Sequence, residues 1–132
     1  MILVVGGSGR KVGKTTVACE IIAATREAQW TAIKVTPHAH EPGPHGDTER
    51  YVEAGAARAL LVGGNELLDL PAGNVLIESN SILDLIEPDL LVFVEGDGEW
   101  KCSAMRVAGK ANYVINGHAT GKVIECVRQL LR

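Results

Sequence analysis

The chain has 132 residues, of which 46% are hydrophobic and 22% charged, with a formal net charge of −3 at pH 7. That size suits one domain, residues 1–132, with a buried core, and the mild acidity excludes a general attraction to nucleic acid or an anionic membrane, so any anion site must be local. No apolar run approaches the ~20 residues of a membrane span, and the start has neither the charged region nor the cleavage site of a secretory signal.

A first strand is expected at ILVV, residues 2–5, followed by a helix over 14–28 with Val17, Ile21, Ala24 and Ala28 along one face. Between them lies GSGRKVGKT, from Gly7 to Thr15. A simple strand-to-helix turn needs fewer residues, and a glycine-rich cap on the helix is the plainer alternative. The order strand, loop, Gly-Lys-Thr and amphipathic helix favours a phosphate cradle instead. A helix start offers unpaired N–H groups and about half a positive charge. Gly13 admits an anion to that backbone, Lys14 can reach over it, and the Thr15 hydroxyl can ligate magnesium. The usual pattern places its first glycine at position 8, which here is Ser8; Gly7 stands one residue earlier.

TAIKV, residues 31–35, is expected as the second strand, leading into a polar loop that ends at Gly46. His38, His40 and His45 fall in that loop with Glu41 and Asp47 nearby, and His-x-His in an extended segment puts two rings on one face. Metal, an anionic ligand group and a merely polar loop are all open there; a ligand-facing loop without a tightly held metal is the favoured expectation. A helix follows over 47–54, capped near Asp47 or Thr48 and stopped by Gly55. Strands are expected at 58–62, 74–79, 89–95 and 112–116, with a short helix around 81–87 before Pro88. Val123, Val127 and Leu130 mark a closing helix. Near-continuous apolar strands alternating with helices argue for an α/β fold with a mostly parallel sheet covered on both faces.

Ligands bind such sheets beyond the carboxyl ends of the strands, and two strands end there in an acid: Glu78 and Glu95. Either suits a carboxylate that serves magnesium, and Asp97 is a third acid beside Glu95. His118, alone in INGH, suits a structural or base-adjacent role, and Lys101, Arg106 and Lys110 suit a solvated face as well as an anion site. Cys19, Cys102 and Cys126 are widely spaced and read as reduced thiols of a cytoplasmic protein.

The stretch AIKVTPHAHEPGPHGDTERYVEAGAARALLV resembles the molybdopterin-guanine dinucleotide biosynthesis adaptor family (MobB-type). The matching features are Lys34 ending a strand, His38 and His40 in the loop, Asp47-Thr48, Arg50, and Ala54-Gly55-Ala56. The resemblance implies a three-layer P-loop NTPase fold that binds GTP with magnesium and turns it over weakly or not at all. It further implies service to the nucleotidyltransferase that attaches GMP to molybdopterin. Gly9, Arg10, Lys11, Val12, Gly13, Lys14, Thr15 and Thr16 would then hold the nucleotide. Lys14 and Glu78 would be catalytic, and Thr15 with Glu78 or Glu95 would serve the metal. The family often carries V-E-G at the strand-end acid, whereas here Glu78 is followed by Ser79-Asn80 and V-E-G occurs at Glu95. EGDG and the longer loop are similar to dethiobiotin synthetase, which keeps a small ATP-dependent ligase or kinase acting through Lys11, Lys14 and Glu95 as an alternative. A metallochaperone GTPase using His38, His40 and His45 is the other. INGH keeps Asn116 but lacks the lysine and aspartate of a guanine-reading run, so guanine rests on the resemblance and adenine stays open. A homodimer is also left open.

Overall fold

The structure is a computed structural model, and it describes residues 1–9, 12–36, 46–63, 69–96, 100 and 102–132. Six strands form one sheet: β1 Ile2–Gly7, β2 Thr31–Thr36, β3 Arg58–Gly63, β4 Val75–Glu78, β5 Leu90–Glu95 and β6 Tyr113–Asn116. Their order is β3-β2-β4-β1-β5-β6, and every pairing is parallel. The helices are α1 Lys14–Ala24, α2 Asp47–Ala54, α3 Cys102–Lys110 and α4 Gly121–Leu131. No helix among the described residues is long and apolar enough to cross a membrane.

Strand alternation divides the interior into two cores. Leu3, Val5, Ala32, Leu76, Val92 and Val94 pack with Val17 and Ile21 of α1, Tyr51 of α2, and Val123 and Val127 of α4. Val4, Ile33, Ile77, Leu91 and Phe93 pack on the other face with Ile82 and with Ala104 and Val107 of α3. The result is three layers, helices on both faces of a parallel sheet, as expected of strands that are apolar on both sides. The connection after β1 passes β4 to reach β2, while the connection after β4 passes β1 to reach β5. Two adjacent strands thus send the chain in opposite directions along the sheet, which is where such folds open a crevice at the carboxyl edge.

The helix expected over 14–28 is shorter. α1 ends at Ala24 because Thr25 turns out of helical geometry (φ −135°, ψ 43°). The Thr25 hydroxyl donates back to the Ile21 carbonyl at 2.6 Å and accepts the Trp30 indole N–H at 2.9 Å. Only a 3-10 turn, Arg26–Ala28, continues the chain. The helix expected around 81–87 is likewise one 3-10 turn, Ser81–Asp84, started by the Ile82 amide bonding to the Ser79 hydroxyl. α2 has the expected bounds, but its cap is Gly46 with no capping side chain, because Asp47 turns to Lys34 instead. α3 was not expected. It buries only Ala104 and Val107 among its described side chains, too few apolar positions to show a helical period. Arg106 forms an exposed pair with Asp84 at 3.4 Å and Lys110 closes the exposed last turn, so both belong to a solvated face.

Trp30 is fully buried where α1 hands over to β2. Trp30→Ala is expected to cost about 3–5 kcal/mol in urea denaturation followed by circular dichroism. Trp30→Phe should cost clearly less, since Thr25 keeps its bond to Ile21.

Candidate functional site

The site is built at the carboxyl edge, around the start of α1. Gly13 caps that helix in the left-handed region (φ 103°), and a Cβ there would lie 3.0 Å from the Gly117 backbone, so glycine is required twice over. The loop after β6 therefore rests directly on the loop after β1. Gly7 has a different task from the turn residue its sequence position suggests. A Cβ on Gly7 would sit 2.6 Å from Lys14 Cδ, so the Lys14 side chain lies across the end of β1. Ser8, where the usual pattern has glycine, continues the ladder by donating its N–H to the Val94 carbonyl at 3.0 Å. Its hydroxyl accepts the Gly96 N–H at 2.9 Å. Asn80 then clamps Gly7 from the other side: its Oδ1 accepts the Gly7 N–H at 2.9 Å and its Nδ2 donates to the Gly7 carbonyl at 2.8 Å.

Glu78 ends β4 on the α1 face, in phase with Leu76, and its side chain is almost wholly buried. Three donors converge on it. The Thr15 hydroxyl donates at 2.7 Å and the Tyr51 hydroxyl at 2.6 Å, both to Oε1, while the Lys34 ammonium pairs with Oε2. Lys34 also reaches Asp47 at 3.0 Å. Burial pulls the Lys34 pKa down, but the carboxylates of Glu78 and Asp47 outweigh it and hold the value above that of an ordinary lysine. Burial, reinforced by the Glu78 charge, pushes the Tyr51 phenol far above its usual range, so it remains a protonated donor. Arg50 of α2 donates to the Thr16 hydroxyl at 3.4 Å.

Glu95 is placed differently. It follows Leu91 and Phe93 by twos, so its position alternates onto the α3 face, away from Thr15 and Lys14. Its register partner is Asn116 at the end of β6. His118 is exposed and bonds Glu20 of α1 at 3.2 Å, while the Ala119 amide donates to the same carboxylate. That contact ties the loop after β6 to α1. Val12 packs partly buried against the α1-side core, and Gly9 is half-exposed. Arg10, Lys11, His38, His40, His45, Asp97 and Lys101 lie outside the described residues. Among the described residues, no three His, Cys, Asp or Glu side chains gather into a metal-holding group.

No family model, curated protein or solved structure matches this chain.

Of the residues singled out in the sequence, Lys14, Thr15, Thr16 and Glu78 are brought together. Tyr51 and Asn80 were missed. Neither carries a local signal: a helical tyrosine reads as core, and an asparagine after a strand reads as turn. Lys34 showed only as part of a family pattern.

Removing one partner of a buried ion pair strands the other. Glu78→Gln is expected to destabilise the fold by about 3 kcal/mol, the low end for buried pairs, because Lys34 keeps partial exposure. Adding Lys34→Met should recover part of that loss in urea denaturation.

The network also fixes a pH dependence. The raised Lys34 pKa gives stability that is complete below the unfolded lysine value of ~10.4 and is lost as pH rises through the higher folded value. Unfolded tyrosine ionises near ~10 while folded Tyr51 does not, so unfolding releases a proton above that pH and stability falls in the same direction. Burial also pushes the Cys19 thiol up, whereas an unfolded cysteine ionises near pH ~8.5. The urea midpoint should therefore be level below pH ~8, begin to fall near pH ~8.5, and decline more steeply above pH ~10, with a shallower decline there in Tyr51→Phe.

Proposed function

We propose that this protein binds a magnesium–nucleoside triphosphate at the carboxyl edge of β1. On the resemblance of its sequence, it is a cytoplasmic GTP-binding accessory protein for the nucleotidyltransferase of molybdenum-cofactor synthesis. The observation that carries the binding reading is the Thr15 hydroxyl, 2.7 Å from buried Glu78, in the first turn of a helix that Gly13 opens without a capping side chain. Lys14 supplies the adjacent cation, stretched over a β1 end that only glycine leaves clear.

Magnesium requires oxygen ligands, and this donor set fits it through Thr15. The Thr15 proton is directed to Glu78, which leaves the oxygen's lone pairs for the ion. Magnesium supplies charge neutralisation of phosphate oxygens when bound. Both Glu78 oxygens already take donors, among them the Lys34 ammonium, so Glu78 serves to orient Thr15 and is a weakened base toward water. That arrangement supports the slow or absent hydrolysis that the resemblance implies. The position of Glu95 on the α3 face argues against the ligase-like reading, which depends on that acid.

Calorimetric titration with magnesium–GTP and magnesium–ATP tests the proposal. Lys14→Ala should lose about 1.5–3 kcal/mol of binding, roughly ten- to a hundredfold, with its circular dichroism unchanged. Equal affinity in wild type and Lys14→Ala would sink the phosphate site. Thr15→Val should abolish the magnesium dependence and Glu95→Gln should retain it; the reverse result would return the metal to Glu95.

A further inference from the structure

We infer that Arg50 is a phosphate-binding residue of this site, delivered from α2 to the first turn of α1. The inference rests on the proposed nucleotide site and names a contact that the loop after β1 does not supply. Arg50 places a guanidinium nitrogen 3.4 Å from the Thr16 hydroxyl, immediately after the Lys14-Thr15 pair. That contact is long for a hydrogen bond, so it holds the guanidinium weakly and leaves its other N–H groups available. Glu49 and Glu53 lie on the same helix, yet among the described residues Arg50 joins no ion pair.

Charge counting gives the residue a task. A terminal phosphate approaches two negative charges at pH 7 and each inner one carries one, so a nucleoside triphosphate carries roughly four. A magnesium ion and Lys14 offset three, and Arg10 and Lys11 of the same loop lie outside the described residues. Among the described residues, the next cation, Lys34, is held between Glu78 and Asp47 and is not available for the remaining charge. Arg50 is a cation beside the helix start without a carboxylate of its own among the described residues. Its planar fork suits phosphate oxygens, which a lysine meets only as a point charge. The placement of α2 is not loose, because Tyr51, the next residue, is anchored to Glu78.

Titration of wild type, Arg50→Met and Arg50→Lys with magnesium–GTP and magnesium–ATP decides the matter, with urea midpoints measured alongside. Arg50 is exposed, so the midpoints should not move. Arg50→Met should weaken binding of the nucleotide that wild type takes by roughly ten- to a hundredfold, and Arg50→Lys should restore part of it. Wild-type affinity in Arg50→Met, with binding still lost in Lys14→Ala, would overturn this inference and leave the nucleotide site standing. Equal losses in both Arg50 variants with a lowered midpoint would also overturn it, since the residue would then act through packing. Failure of wild type to bind either nucleotide would overturn the site and Arg50 together.

Discussion

A carboxylate buried at the end of a central strand is the constraint on which the site depends. Removing an ionised group from water costs several kcal/mol, and only close partners offset it. Glu78 has three, and they come from three different elements: Thr15 from α1, Lys34 from β2 and Tyr51 from α2. One side chain therefore fixes the approach of two helices to two strands. The same bonds aim the Thr15 hydroxyl and hold Lys34 away from the helix start. Fold and candidate chemistry are thus coupled at one residue, and a change at Glu78 disturbs both.

The second constraint is the two-residue period of the sheet. It sets Gly7, Lys34 and Glu78 on the face that carries α1 and α2, in phase with Val5, Ala32 and Leu76. It sets Glu95 on the other, in phase with Phe93. Two acids with the same sequence context, each closing an apolar strand, are in this way separated by the thickness of the sheet. The β1 end between them is fixed by backbone contacts on both sides, with Asn80 of the β4 side holding Gly7 and Ser8 holding the β5 side.

Strand existence, the parallel α/β class and the bounds of α2 were legible because apolar runs and turn residues are local signals. The Gly13-Lys14-Thr15 start of α1 was legible for the same reason, since loop glycines and a helix start adjoin in the chain. The separation of Glu78 and Glu95 onto opposite faces was not, because it needs strand order and phase together. Ser8 looked like a defect in a glycine pattern, yet its hydroxyl ties β1 to the end of β5, a partner 88 residues away. Tyr51 was hidden for a similar reason: its ring belongs to the core while its hydroxyl belongs to the site. α3 escaped because a short helix with two buried side chains scarcely interrupts a polar run.

Asp47, Arg50 and Tyr51 share one face of α2, at the three- and four-residue spacing that brings helical side chains together. Each touches a different part of the site: Asp47 reaches Lys34, Arg50 reaches Thr16, and Tyr51 reaches Glu78. α2 is therefore a wall of the site and more than a cover for the sheet. In sequence the histidine-bearing stretch falls between β2 and this helix, and two anchors on either side of it, Lys34 in β2 and Asp47 in α2, are paired with one another. A displacement of either anchor must strain the Lys34 pair with Glu78, and through it the bond that aims Thr15. Lys34 near the end of β2 and the aspartate that opens α2 thereby couple the start of α2 to the start of α1.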